Sequence, residues 1–376
     1  MFLFLMLSIA QAGLFGNDAE EPASVEVAVE APPPPTAAPL FEGGLPIDLE
    51  EIPTGLANIT AQGCNACHYQ AHDDWALSGH AGTGQNQAFQ DALNRVSNST
   101  ACSQCHLPLK VQHATLAAGY IDGDMTRPSM AHNPVWDPTL MAEGVGCAAC
   151  HVRDGKVVGT RPISGAPHPV IASAELGTSE MCATCHQLSF PESDRPFYDT
   201  YGEWSRTPYA AANVRCQDCH MPPKAGAATA TRFAASPSHA FQADIARALT
   251  VVVRLDSHQV ERGQAFPVTV TLQNTGAGHH IPTGSPYKSY IVSVSLVDSK
   301  GKALTKAYTE TLGRTVSSEP PYTTSTDNRI QAGGEHQIKT NFTVDHRKKA
   351  GNIHLEVRVG RDSNGPALQS IPLQLY

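Results

Sequence analysis

The chain has no unpaired cysteine. All ten of its cysteines fall in C-x-x-C-H pentads, which leaves none for a disulfide framework. No internal stretch approaches the 18 or more apolar residues of a membrane-spanning helix, so stable membrane insertion is not expected. Residues 17–51 contain nine acids and no Lys or Arg. Nothing along the chain is basic or aromatic enough for nucleic-acid binding. No C-x-x-C-K variant is present, and no basic residue precedes the apolar opening Phe2–Ile9. Even so, that opening and the Ala10-Gln11-Ala12 after it have the apolar core and small-x-small cleavage pattern of a signal peptide over residues 1–12. No cysteine follows it to carry a lipid anchor.

What is present is arranged in blocks. The length of 376 residues suggests two domains with terminal extra. Residues 13–55 are acidic and include Pro32-Pro33-Pro34-Pro35, the composition of an extended tether that cannot bury a core. The net charge of −9 is uneven: residues 52–246 carry −5 and residues 247–376 carry +5. That asymmetry suits ordinary solvated surfaces first and partner docking second.

The pentads are Cys64/Cys67/His68, Cys102/Cys105/His106, Cys147/Cys150/His151, Cys182/Cys185/His186 and Cys216/Cys219/His220. One copy alone could be half a zinc site or a redox dithiol. Five copies with no cysteine left over, behind an export signal, point to five covalently bound haem c groups. The two-residue gap sets the sulfurs at the haem vinyl separation, and the next histidine reaches the iron. Successive pentads start 38, 45, 35 and 34 residues apart, too close for each haem to own a domain. The expected fold is therefore a mainly α or irregular multihaem cytochrome c domain over residues 56–246, with helices near Tyr69–His80 and Gln87–Ser103. An all-β antiparallel sandwich of immunoglobulin-like architecture is expected over residues 247–376. Its strands are expected at Leu249–Leu255, Pro267–Gln273, Tyr290–Val297, Gln337–Val344, Ile353–Val359 and Ser370–Leu375, separated by turn residues.

Twelve histidines remain beyond the pentads, enough to give each iron a second axial imidazole and a low potential. His72, His80, His113, His132, His168, His239, His279 and His280 lie in or beside the haem region. Met125, Met130, Met141, Met181 and Met221 are the alternative donors.

Several strings resemble the cytochrome c-554-like multihaem family. They are Cys64-Asn-Ala-Cys67-His68 with Trp75-Ala-Leu-Ser78-Gly-His80-Ala, Glu143-Gly-Val-Gly-Cys147-Ala-Ala-Cys150-His151 with Ala166-Pro-His168-Pro, and Glu203-Trp204-Ser205 leading to Cys216-Gln-Asp-Cys219-His220-Met221-Pro222. The resemblance covers residues 60–245. It implies that His80, His168 and His239 are distal ligands to haems other than their sequence neighbours. A further string, Gly278-His279-His280-Ile281-Pro282-Thr283-Gly284, is similar to loops in related cytochromes with a C-terminal β-domain, where the loop reaches back to the haems. Glycine permits close approach and Pro282 stiffens the loop, so His279 is expected to ligate a haem. For the fifth distal position His113 comes first and His132 second, with an open site as the third option. An additional pentad and the β-domain set this chain apart from the family's tetrahaem member.

The function expected is electron transfer in the periplasm or at the cell surface. Redox protein partners would be other cytochromes or a membrane quinol-oxidising complex. Two other classes compete: an oxidoreductase acting on a small nitrogen or sulfur compound at a five-coordinate haem, and a self-assembling filament subunit.

Overall fold

A computed structural model describes residues 45–49, 51–95, 100–124, 127–163, 165–190, 193–225 and 235–376. The expected signal peptide, most of the acidic tether, and Met125 lie outside the described residues.

Each pentad folds into helix because C-x-x-C sets its sulfurs at i and i+3, on one helical face. The helices are Ala61–Ala76, Thr100–His106, Cys147–His151, Ser179–His186 and Cys216–His220, and all but the first stop at the pentad histidine. Those four have five to eight residues, well under the roughly 12–15 that persist alone in water. They depend on what packs against them. The first runs on past its pentad only across a kink at His68 (φ −108°, ψ 41°), and its N-terminus is satisfied twice. Thr60 Oγ1 accepts from the Gly63 amide at 3.0 Å, and the Glu143 carboxylate accepts from the Ala61 amide at 2.8 and 3.0 Å. An anion at the positive end of a helix is stabilising.

The expectation of a mainly helical haem region followed by an all-antiparallel sandwich is corrected by the structure. Strand outweighs helix over the chain, and small sheets run between the pentads. They are Thr115–Tyr120 with Pro128–His132; Val152–Arg153, Lys156–Gly159 and Val170–Ala172; Gln187–Ser189 with Pro196–Asp199; and Pro223–Ala225 with Ala235–Pro237. Two strand pairs are parallel, Lys156–Gly159 with Val170–Ala172 and Gln259–Val260 with Ala367–Leu375. The cause is local. β-Branched and aromatic residues such as Val157-Val158, Val170-Ile171 and Phe197-Tyr198 favour extended backbone. Prolines at 128, 196 and 223 deny these segments a continuous helix.

From Leu249 onward two larger sheets form. One has the order Leu249–Leu255, Ala265–Asn274, Glu335–Thr343. The other runs Gln259–Val260, Ala367–Leu375, Gly351–Gly360, Tyr290–Asp298, Tyr308–Leu312. Alternate residues such as Ile353, Leu355, Val357 and Val359 point inward, as the two-residue period of a strand requires. Twenty-one buried apolar residues make one cluster here. In the pentad region the two clusters hold only seven and two. Protein side chains therefore supply a dense core to the strand-rich part and a sparse one around the pentads, where a large non-protein group would have to complete it. All described residues belong to one compact unit.

Candidate haem-attachment sites

The ten cysteines are free thiols, carried in pairs on the helices described above. Four pentad histidines each face a histidine from elsewhere in the chain. Ring centroids are 6.2 Å apart for His68 and His168, 6.3 Å for His186 and His80, 6.1 Å for His151 and His239, and 6.1 Å for His220 and His279. A metal bond of about 2 Å to each imidazole nitrogen, plus about 1 Å of ring on each side, puts centroids about 6 Å apart. The spacing is that of two imidazoles sharing one metal ion.

Hydrogen bonding orients the rings for this. Nδ1 pairs with a backbone carbonyl in His151 (Val158, 2.9 Å), His220 (Gln242, 2.6 Å), His239 (Pro237, 3.0 Å) and His279 (His280, 2.9 Å). A ring that donates from Nδ1 keeps Nε2 unprotonated as the donor atom. Burial, and then the neighbouring His186, pushes His80 down to about 4. Burial likewise pushes His151 to about 4 and lowers His168, His186, His239 and His279. These imidazoles are held neutral, the form that binds metal.

Buried carboxylates hold the segments that carry two of the facing histidines, His239 and His279. Asp74 accepts from Lys224 Nζ at 2.6 Å and from Ser238 Oγ at 2.9 Å, and Ser238 is next to His239. Glu203, whose side chain is 1% exposed, accepts from Arg329 Nη1 at 2.6 Å, Thr283 Oγ1 at 2.6 Å and the His280 amide at 3.1 Å. It thereby clamps the loop that carries His279. Buried Ile281 and Ile330 exchange backbone hydrogen bonds at 2.8 and 2.9 Å behind that loop. A Cβ on Gly278 would come within 3.2 Å of Trp204 Cδ1, so glycine is what lets the loop approach the pentad region.

His106 is the exception. Its ring stacks on Phe89 (4.2 Å, 4°) and its buried Nδ1 has no hydrogen-bond partner. His113 is not brought to it: His113 Nε2 is 2.7 Å from the Leu107 carbonyl, so the atom that would coordinate is taken. His132 ends an exposed strand of the Thr115–His132 hairpin. Of the remaining histidines, His280 lies against Glu203 and His336 against Glu310.

The attachment sites have a spatial order. Cys64 lies beside Cys147, Cys105 beside Cys185 and Cys182 beside Cys216, and Cys150 is near both Cys182 and Cys185. Among the described residues no group of three or more His, Cys, Asp or Glu could hold a metal. The paired imidazoles therefore suit an ion whose other ligands come from a macrocycle. The donor set and the sparse local core both fit haem c.

Among solved structures the chain is similar to the penta-heme cytochrome c552 from Thermochromatium tepidum, with a TM-score of 0.55 at 16% identity, over 86% of this chain and 98% of that one. The chain has a multihaem cytochrome c fold. No protein-family model matches it, and no curated protein does. Two further similarities are slight. The Pseudomonas fluorescens alkylpurine DNA glycosylase has a TM-score of 0.22 at 17% identity over 34% of this chain and 30% of that one. A Listeria innocua β-glucosidase has 0.21 at 15% over 34% and 16%. Neither carries an argument.

Three features of the site escaped the sequence reading. Glu203 was visible only within the family-like string Glu203-Trp204-Ser205, without a role, and Asp74, beside Trp75, was in no such string. Phe89 was visible only as an apolar helix position. Their functions depend on partners far away in the chain.

Proposed function

We propose that the protein is a c-554-like cytochrome that binds five haem c groups at its five pentads and transfers electrons. The observation that carries this reading is the set of four imidazole pairs at 6.1–6.3 Å, each joining a pentad histidine to one from outside the pentads. Haem supplies reversible one-electron chemistry when bound, at a potential set by axial ligand, burial and nearby charge. The chain's residues would do the rest. Cysteine pairs hold each group, His80, His168, His239 and His279 serve as distal donors, and Asp74 and Glu203 fix the segments that carry His239 and His279. The thiol contacts order the sites as first, third, fourth and fifth, with the second beside the fourth. Such close succession suits a conductor between redox partners, which we take to be other cytochromes or a quinol-oxidising complex.

Export to the periplasm or cell surface is part of the proposal. It is supported by the signal-like opening and by the extracytoplasmic attachment of haem c in bacteria. Among the described residues no helix is long and apolar enough to cross a membrane. The test is haem stoichiometry by intact mass and pyridine haemochrome, followed by potentiometric titration. Five haems with mostly low potentials support the reading; fewer than five overturn it.

A second reading, an oxidoreductase at one haem, is favoured by His106, whose ring stacks on Phe89 and, among the described residues, is not set against a histidine as the other four pentad histidines are. Tyr198 lies near that pentad; burial, then the Cys105 and Cys102 sulfurs, pushes its phenol up. Carbon monoxide binding to one of five reduced haems would support this reading, and no binding would remove it.

A further inference from the structure

We propose that the chain binds a small inorganic oxyanion in a cavity between the Gln187–Asp199 hairpin and the Arg314–Asp327 hairpin, with Arg314 as its buried cation. This inference is independent of the haems. The cavity, about 70 Å³, is lined by Phe190, Arg195, Pro196, Arg314, Tyr322 and Thr324, among others. That is several times the room one water needs and far less than a peptide or an organic cofactor would fill.

Arg314 is only 9% exposed. Its Nη1 donates to the Pro196 carbonyl at 3.2 Å and its Nη2 to the Phe197 carbonyl, while Nε–H has no acceptor. Its charge has no carboxylate of its own. The acidic groups that act on it are Glu203, Asp327 and Asp199. Glu203 and Asp327 are both engaged by Arg329, at 2.6 and 2.8 Å, and Asp199 by Arg206 at 2.6 Å. A buried guanidinium whose direct hydrogen bonds go only to carbonyls, with one N–H unpartnered, is costly, and an anion beside it would relieve that cost.

The surroundings fit such a ligand. Arg195 is exposed and supplies a second cation at the rim. Thr324 adds a hydroxyl. Phe190 and Tyr322 stack at 4.3 Å and 9°, forming a flat wall that excludes water. Planar guanidinium groups match the oxygens of an oxyanion better than they match a bare halide.

The test is calorimetric titration of the purified holoprotein with sodium sulfate and with sodium nitrite, against sodium chloride at matched ionic strength. Saturable binding of at least one oxyanion to one site is expected, with chloride failing to compete. Arg314→Gln should weaken it about tenfold or more, and Arg195→Gln should weaken it several-fold, both with an unchanged visible spectrum. Because Arg314→Gln removes a buried group, Arg195→Gln at the exposed rim keeps the test decisive if the first variant fails to fold. The proposal is overturned if neither oxyanion gives saturable heat, if chloride competes equally, or if the folded variants bind as the parent does.

Discussion

Replacing Glu203 with Gln is the most informative single perturbation of the clamp. The substitution keeps the shape and removes the charge. Arg329, 7% exposed, then faces Glu203's position without its closest counter-ion but keeps Asp327 at 2.8 Å. Breaking a buried pair by neutralising one partner costs about 3–5 kcal/mol, and the surviving Asp327 contact puts this case near the lower end. A chain longer than 250 residues moves its midpoint by about 2 °C per kcal/mol, so a drop of about 6 °C is expected. The loss should also reach the loop holding His279, because the His280 amide and the Thr283 hydroxyl bond to the same carboxylate. The assay is a thermal melt of the ferric holoprotein by circular dichroism, paired with its electron paramagnetic resonance spectrum. A midpoint within about 1 °C of the parent, together with an unchanged low-spin spectrum, would refute the clamp.

Other expectations follow from the same geometry. His279→Ala should convert one haem to high spin or raise its potential, read by paramagnetic resonance and redox titration; an unchanged spectrum would strike His279 from the ligand set. Leu296→Ala, at a fully buried position in the interior strand Tyr290–Asp298, should cost about 3–5 kcal/mol by leaving a cavity, while the haem spectrum stays as it was. For Asp74, burial alone would raise the carboxyl, but the hydrogen bonds from Lys224 and Ser238 prevail and hold it below its ordinary value. The stability it contributes is complete above the unfolded value of about 3.9 and is lost as pH falls through the lower folded value. Asp74→Asn should therefore flatten the acid limb of a stability-versus-pH curve, and an unaltered limb would count against the Asp74 bridge.

The strand-rich half was legible because its signal is local. Ile353, Leu355, Val357 and Val359 alternate in the sequence and alternate in the fold, and the strand Leu249–Leu255 is built on the β-branched run Thr250-Val251-Val252-Val253. The pentads were legible for the same reason. Around them the signal is not local. The first helix begins at Ala61 rather than Tyr69 because Glu143, 82 residues on, meets its amide. Helices Gln87–Arg95 and Thr100–His106 cover both ends of the expected Gln87–Ser103 helix, whose residues 96–99 lie outside the described ones. The short strands Gln187–Ser189 and Pro196–Asp199 are too brief to show a period. Which histidine faces which is a contact across as many as 106 residues, from His80 to His186, and no pattern along the chain encodes it. His113 illustrates the limit: it lies seven residues from a pentad, yet its Nε2 meets the Leu107 carbonyl.

The central claim is that five haems sit on this chain, four between paired imidazoles and one at His106 without a second. Spin quantitation of the ferric holoprotein by electron paramagnetic resonance tests it most directly. The account predicts four low-spin haems and one high-spin haem per chain. Five low-spin haems would contradict the reading of His106, and more than one high-spin haem would contradict the pairs.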